Sequence, residues 1–148
     1  MTRIKGKHRL AAKRTVVRDV KDNMAAIENI RTNAWTPAAI WAVVILFFSI
    51  FPTNSPEMIT RGYIDKIAHF LEYFILAALM VKAYGRVGNF TFRKSLSFTL
   101  ILGGVYGILL ELAQIPVPGR HAELYDAAAN MIGIISGVIL GRIVLWQR

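Results

Sequence analysis

Residues 127–146 read AAANMIGIISGVILGRIVLW, an apolar run with a single charge, at Arg142. A helix of about 20 residues, rising 1.5 Å per residue, crosses a hydrocarbon core of about 30 Å, so the run predicts a membrane-spanning helix. Three further apolar runs occupy residues 36–51, 67–84 and 98–115. The sequence therefore predicts an all-α, polytopic membrane protein with four transmembrane helices.

The composition excludes several other classes of protein. Of the 148 residues, 55% are hydrophobic, which is too many for an ordinary soluble domain. The absence of cysteine excludes disulfides and metal centres held by cysteine. The net charge of +9 would suggest nucleic acid in a soluble protein, but in a membrane protein topology and lipid explain it. We expect membrane lipid, and no nucleic acid, as a partner.

Residues 1–33 carry nine of the 18 lysines and arginines. Apolar residues recur among them at helical spacing, at Val16, Val20, Met24 and Ile27. This pattern is typical of an amphipathic helix at the membrane surface, although a disordered basic tail that fixes topology explains the charge equally well. We predict a basic cytoplasmic segment over residues 1–33 and a four-helix membrane domain over residues 34–148.

The distribution of basic residues predicts the orientation. Fifteen lysines and arginines lie in the N-terminal segment, the second loop and the C-terminus, against three in the first and third loops. Because basic residues favour the cytoplasmic side, both termini are expected in the cytoplasm of a bacterium, with the chain in its inner membrane. Thr36-Pro37 predicts an N-cap followed by the first turn of the first span.

Glycines at spacings of four residues predict close helix packing. Gly133, Gly137 and Gly141 form one such face on the fourth predicted span, and Gly103 and Gly107 form a shorter one on the third. Faces without side chains let helix backbones approach closely. They indicate contacts within the chain or a homo-oligomer.

Polar residues of the predicted spans gather toward the outer end, where an ionisable group is costly unless it is paired, hydrated or functional. The candidate ligand-binding residues are Asp65, Lys66, His69, Glu72, Glu111, Gln114, Arg120, Asp126 and Asn130. Within each predicted span, spacings of three, four or seven residues place the candidate side chains on one helix face. Three helices can therefore form one polar pocket that opens outward. Asp65 and Lys66 also fit a solvated helix start, and His69 an interfacial histidine. Arg120, in the loop after the third span, is expected to pair with Glu111.

The same residues carry a resemblance to a known family. The matching pieces are Asp65-Lys66-Ile67-Ala68-His69-Phe70, Tyr73-Phe74, Glu111 with Gln114, Pro118-Gly119-Arg120, and Asp126 with Asn130 and Gly133. In this order they resemble the VanZ-like family of small bacterial membrane proteins, over residues 64–141. The resemblance implies a four-helix membrane domain whose name-giving members raise tolerance to the glycopeptide teicoplanin. Glu123 and the basic N-terminal segment depart from the family pattern.

Three functions fit these residues. The first is a module of the cell envelope that binds a lipid-linked or phosphorylated headgroup through Arg120, Lys66 and His69. The second is a membrane-embedded hydrolase or transferase using a carboxylate as acid or base, with a divalent ion held by Asp65, His69 and Asp126. The third is a structural or transport subunit. Because no catalytic spacing such as HExxH or GxSxG occurs, we assign no catalytic residue, metal ligand or cofactor and leave open whether the protein is an enzyme.

Overall fold

The computed structural model describes residues 2–52, 59–87, 90–120 and 122–145. Throughout these ranges the regular structure is helical, which confirms the predicted all-α class. The helices are α1 (Thr2–Ile50), α2 (Ile59–Val87), α3 (Phe92–Gln114) and α4 (Leu124–Leu140), and a π-helical turn, Gly141–Leu145, continues α4. The predicted turn near Asn54 lies outside the described residues.

Three of the described helices are long and apolar enough to cross a membrane, rather than the four predicted. They are Val16–Ile50, Phe92–Gln114 and Leu124–Val144. The difference concerns α2, which combines two roles. Its first half carries the charged candidate residues, and its second half supplies more than half of the buried apolar side chains of the described chain. The protein is a multi-pass helical membrane protein, and the second half of α2 is largely buried by its neighbours.

The first span does not begin at Thr36-Pro37, as predicted. Pro37 lies inside α1, which is already helical well before it. Membrane helices tolerate an internal proline because neighbouring groups satisfy the backbone atoms that it leaves unpaired. The contacts divide the chain into two compact units, Met1–Asn33 and Ala34–Arg148. Within the first, the predicted apolar stripe, including Val16 and Met24, is helical and exposed.

The glycine face of α4 packs on the backbone of α2, which confirms the predicted close contact. A Cβ atom added at Gly133 would overlap the Phe70 carbonyl oxygen, and one at Gly137 would overlap that of Phe74. At Gly141 an added Cβ would lie 2.8 Å from Val81 Cβ. This face is therefore occupied within the chain, and the homo-oligomer stays a prediction.

Two hydrogen bonds to main-chain carbonyls attach the second half of α1 to α2 and α3. Trp41 Nε1 donates to the Glu72 carbonyl at 2.9 Å, and the Tyr106 hydroxyl donates to the Ala42 carbonyl at 2.6 Å. Much of the apolar core lies on one side of this level, where Trp35 meets Tyr84 edge to face at 4.7 Å, and Ile45 and Leu110 extend it to the other side. The candidate residues lie at the opposite end of α2.

Candidate functional site

The start of α2, the end of α3 and the start of α4 bring the candidate residues together. Five of them are buried: His69, Glu111, Gln114, Asp126 and Asn130. Asp65, Lys66, Glu72 and Arg120 are partly exposed around them. Buried polar groups on three packed helices form a polar interior, which is where ionisable residues of membrane proteins are usually found.

The loop after α3 turns back toward α2. Val117 N donates to the Gln114 carbonyl at 2.9 Å, and Arg120 N donates to the Val117 carbonyl at 3.1 Å. Gly119 has φ 77°, a left-handed conformation that a residue with a Cβ rarely adopts. These two turns place the Arg120 side chain against α2 and the end of α1.

Arg120 does not pair with Glu111, so that prediction was wrong. Its Nη1 donates to Asp65 Oδ1 at 3.1 Å, and its Nη2 donates to the Phe48 carbonyl at 3.0 Å. Both oxygens of the Glu111 carboxylate are buried without a hydrogen-bond partner in the described structure. The loop extends beyond the carboxylate of its own helix because Gly119 redirects it toward α2.

Lys66 joins α2 to the start of α4. Its ammonium donates to Glu123 Oε2 at 2.9 Å and lies 3.4 Å from Asp126 Oδ1. Glu123 is thus a partner of a candidate residue.

A cavity of 160 Å³ opens beside Arg120 at this end of the helices. It is lined by Phe48, Ser49, Asp65, Ala68, His69, Glu72, Gln114 and Arg120. Lys66, Glu111, Asp126 and Asn130 are not among its lining residues, although Glu111 and Asp126 interact electrostatically with His69. Five of the nine candidates therefore line one cavity.

Helix α1 contributes residues to the site that were not predicted from the sequence. Phe48 and Ser49 form one wall of the cavity, and Ser49 is buried. The available signal was a single hydroxyl in the otherwise apolar run of residues 38–51. Tyr73 is buried, and its hydroxyl has no partner among the described groups.

Three of the candidates are close enough to share a cation. One ligand atom from each of Asp65, His69 and Asp126 lies within 4.8 Å of the other two. Imidazole and carboxylate are a donor set that several divalent metals accept. This group is the candidate metal cluster.

A comparison with known families gives one match, to a family described as VanZ/LLP1, over residues 16–145. The match includes all nine candidate residues and most of the chain. No curated protein is similar enough to count as a match. The same is true of the solved structures.

Proposed function

We propose that this chain, which belongs to the VanZ-like family, binds a lipid-linked or phosphorylated component of the cell envelope in the cavity beside Arg120. Its role is that of a binding module. The cavity faces outward from a bacterial cytoplasmic membrane, and the headgroup of the ligand occupies it.

The observation that carries the proposal is a pair of unsatisfied donors on two residues that line the cavity. Arg120 Nε and Gln114 Nε2 are both buried and lack hydrogen-bond partners among the described residues. A buried donor without an acceptor costs about 1–3 kcal/mol, which a ligand with acceptor oxygens would recover. Phosphate oxygens are strong acceptors, and arginine is well suited to them.

A second cavity favours a ligand with a lipid tail over free phosphate. It has a volume of 260 Å³ and is bordered by apolar and aromatic residues of α1, α2 and α3, among them Ala39, Ala42, Leu76 and Tyr106. The same three helices line the polar cavity, and Leu76 is one helical turn beyond Glu72. A headgroup in the polar cavity can therefore place its chain along an apolar groove on the same helices.

The proposal includes a membrane topology. We take α2 as a fourth span, enclosed by the other helices, with both termini in the cytoplasm. The support is the distribution of basic residues, with fifteen on the side of the termini and three on the other. Arg120 then lies at the outer face, where envelope precursors are used.

Tolerance to teicoplanin is the corresponding phenotype. Its support is the family resemblance alone, since name-giving members of the VanZ-like family raise tolerance to this glycopeptide. The test is to express the wild-type chain and Arg120→Gln at matched membrane levels in a susceptible host and to measure the inhibitory concentration of teicoplanin. Equal inhibitory concentrations with the wild-type chain and an empty vector would contradict this part of the proposal.

Native mass spectrometry of the purified protein with a polyprenyl phosphate tests binding directly. We expect one lipid per chain, with at least tenfold weaker retention by Arg120→Gln. Arg93→Gln is the matched control, because Arg93 is an exposed arginine at the start of α3. Failure of the wild-type protein to retain the lipid, or equal loss in both variants, would refute the proposed site.

Two further experiments distinguish a lipid phosphate from free phosphate as the ligand. Inorganic phosphate should bind much more weakly than the polyprenyl phosphate if the tail contributes. Ala39→Phe, which narrows the groove, should weaken retention of the lipid, whereas Val43→Phe, at an exposed position outside the groove, should not. Equal binding of both phosphate compounds would indicate a site for phosphate alone.

A further inference from the structure

We propose that Asp65, His69 and Asp126 bind one divalent transition-metal ion between α2 and α4. The proposal goes beyond the binding of a headgroup, because an ion can occupy this cluster without any lipid. Asp65 and His69 are separated by four residues on α2, and Asp126 lies in the first turn of α4. The close packing of these helices at Gly133 and Gly137 holds the two sides of the cluster together.

The spacing of the ligand atoms suits a single ion. The three atoms lie within 4.8 Å of one another, whereas neighbouring ligand atoms around an ion with bonds of about 2.0–2.2 Å are about 3–3.5 Å apart. Side-chain rotations that draw the atoms together by about 1–2 Å therefore bring all three within bonding distance of one centre. Because one donor is imidazole and two are carboxylates, the set fits Mn²⁺ or Zn²⁺ better than Mg²⁺, which prefers oxygen ligands.

The state of His69 is a second and independent observation. The side chain is only 5% exposed, and its Nδ1 atom has no hydrogen-bond partner among the described residues. A buried imidazole nitrogen without a partner is unfavourable in a protein interior, and metal coordination is one way to satisfy it. Nothing else in the described structure provides that partner.

The charge at this end of the helices also favours a cation. Among the described side chains, the carboxylates are Asp65, Glu72, Glu111, Glu123 and Asp126, and the cations are Lys66 and Arg120. Five carboxylates against two cations leave an excess of negative charge if all are ionised. A bound divalent ion compensates part of this excess.

Lys66 does not prevent metal binding, although its ammonium lies 3.4 Å from Asp126 Oδ1. Glu123 is its closer partner, at 2.9 Å, and is more exposed than Asp126. Lys66 can therefore keep Glu123 when a metal ion takes the Asp126 carboxylate. Arg120 likewise retains the Phe48 carbonyl, at 3.0 Å, when the Asp65 carboxylate turns to the ion.

Binding of Mn²⁺ to the full-length, chelator-treated protein in detergent is the first test. We expect one Mn²⁺ per chain by calorimetry, and at least tenfold weaker binding in His69→Gln and in Asp126→Asn. Asp22→Asn, which removes an exposed carboxylate on α1, is the matched control and should bind as the wild type does. No binding by the wild type, or unchanged binding in both cluster variants, would overturn the proposal.

A spectroscopic test does not require the cluster variants to fold. The chain has three histidines, so replacing His8 and His121 by glutamine leaves His69 as the only imidazole. Pulsed electron paramagnetic resonance of Mn²⁺ bound to this protein should show coupling to an imidazole nitrogen. Bound Mn²⁺ without that coupling would overturn the proposal. Because no lipid is present, failure here is distinct from failure of headgroup binding.

Discussion

Arg120 Nη1 donates a 3.1 Å hydrogen bond to Asp65 Oδ1, so the loop after α3 is fastened to the start of α2. The same guanidinium reaches the Phe48 carbonyl at the end of α1. One side chain thus connects the loop with two helices at the mouth of the polar cavity. The bridge positions Arg120 for a ligand and also contributes to the stability of this end of the protein.

The Arg120–Asp65 pair should be measurable in a double-mutant cycle. Asp65 is about 40% exposed, so solvent weakens the pair and we expect a coupling free energy of only about 1 kcal/mol between Arg120→Gln and Asp65→Asn. Unfolding by SDS, followed by circular dichroism, measures it. Arg120→Gln and Glu111→Gln should be additive in free energy of unfolding. Coupling of Arg120 to Glu111 instead of to Asp65 would contradict the observed pairing.

Gly133 and Gly137 should not tolerate even one added methyl group. Alanine at either position would overlap a carbonyl oxygen of α2, at Phe70 or Phe74, so the helices must separate. We expect a loss of about 1–3 kcal/mol in free energy of unfolding, the usual range for overpacking. The same SDS titration measures this loss.

Gly62 provides the control for these glycine variants. It lies in α2 with nothing within 4 Å of an added Cβ. Since alanine is the better helix former, Gly62→Ala should leave the stability unchanged or raise it by up to about 1 kcal/mol. Equal losses at Gly62 and Gly133 would show that the close contact of α2 with α4 is not the cause.

The features that the sequence predicts well are those encoded by short spacings. Apolar runs give the positions of the helices, and the four-residue repeat of Gly133, Gly137 and Gly141 gives the close contact. The pairing of Arg120 depends instead on the path of a loop, which the positive φ of Gly119 directs toward α2. Spacing along one helix carries no information about that direction, so the prediction chose Glu111, the carboxylate of the helix that precedes the loop.

Of the residues that line the cavity, some could be predicted from the sequence and others could not. Helical spacing places Asp65, His69 and Glu72 on one face, and the structure has all three in its wall. The wall formed by Phe48 and Ser49 comes from a different helix, and its residues are ordinary for a membrane span. Which apolar helix covers a polar cluster depends on tertiary packing, here on the bond of Trp41 to the Glu72 carbonyl.

Tyr106→Phe should weaken the attachment of α1 to α3. The variant removes the hydroxyl that donates to the Ala42 carbonyl at 2.6 Å, while the aromatic ring remains. Side-chain hydrogen bonds between membrane helices contribute about 0.6 kcal/mol on average, so a loss of about 0.5–1 kcal/mol is expected. Tyr63→Phe is the control, since Tyr63 is 71% exposed. Equal effects of both variants on SDS unfolding would argue against a structural role for this bond.

Deletion of residues 2–30 should impair insertion without unfolding the rest of the protein. It removes eight of the nine basic residues of the first 33, each of which contributes up to about 1 kcal/mol near anionic lipid. Residues 31–50 still provide about 20 residues for the first span. The fraction of protein that resists alkaline extraction from membranes should fall, whereas the helicity of the purified remainder should persist. Loss of the folded remainder would show that the segment is part of its core.

The last prediction is that α2 crosses the membrane, which decides the side of the membrane on which Arg120 lies. Reporter fusions after residue 10, Asn54, Asn89 and Arg148 distinguish four spans from three. With α2 as a span, we expect residue 10, Asn89 and Arg148 in the cytoplasm and Asn54 outside, in agreement with the distribution of basic residues.

If only the three clearly apolar helices cross, Asn89 and Arg148 would instead be outside and Arg120 would face the cytoplasm. Replacing Arg86, Arg93 and Lys94 by glutamine tests the cause, since it removes basic residues that hold the second loop inside. This change should increase the fraction of Asn89 fusions that are outside. An Arg148 fusion found outside, with residue 10 inside, would put Arg120 on the opposite side of the membrane from Asp65 and Phe48, and the proposed binding site could not then form.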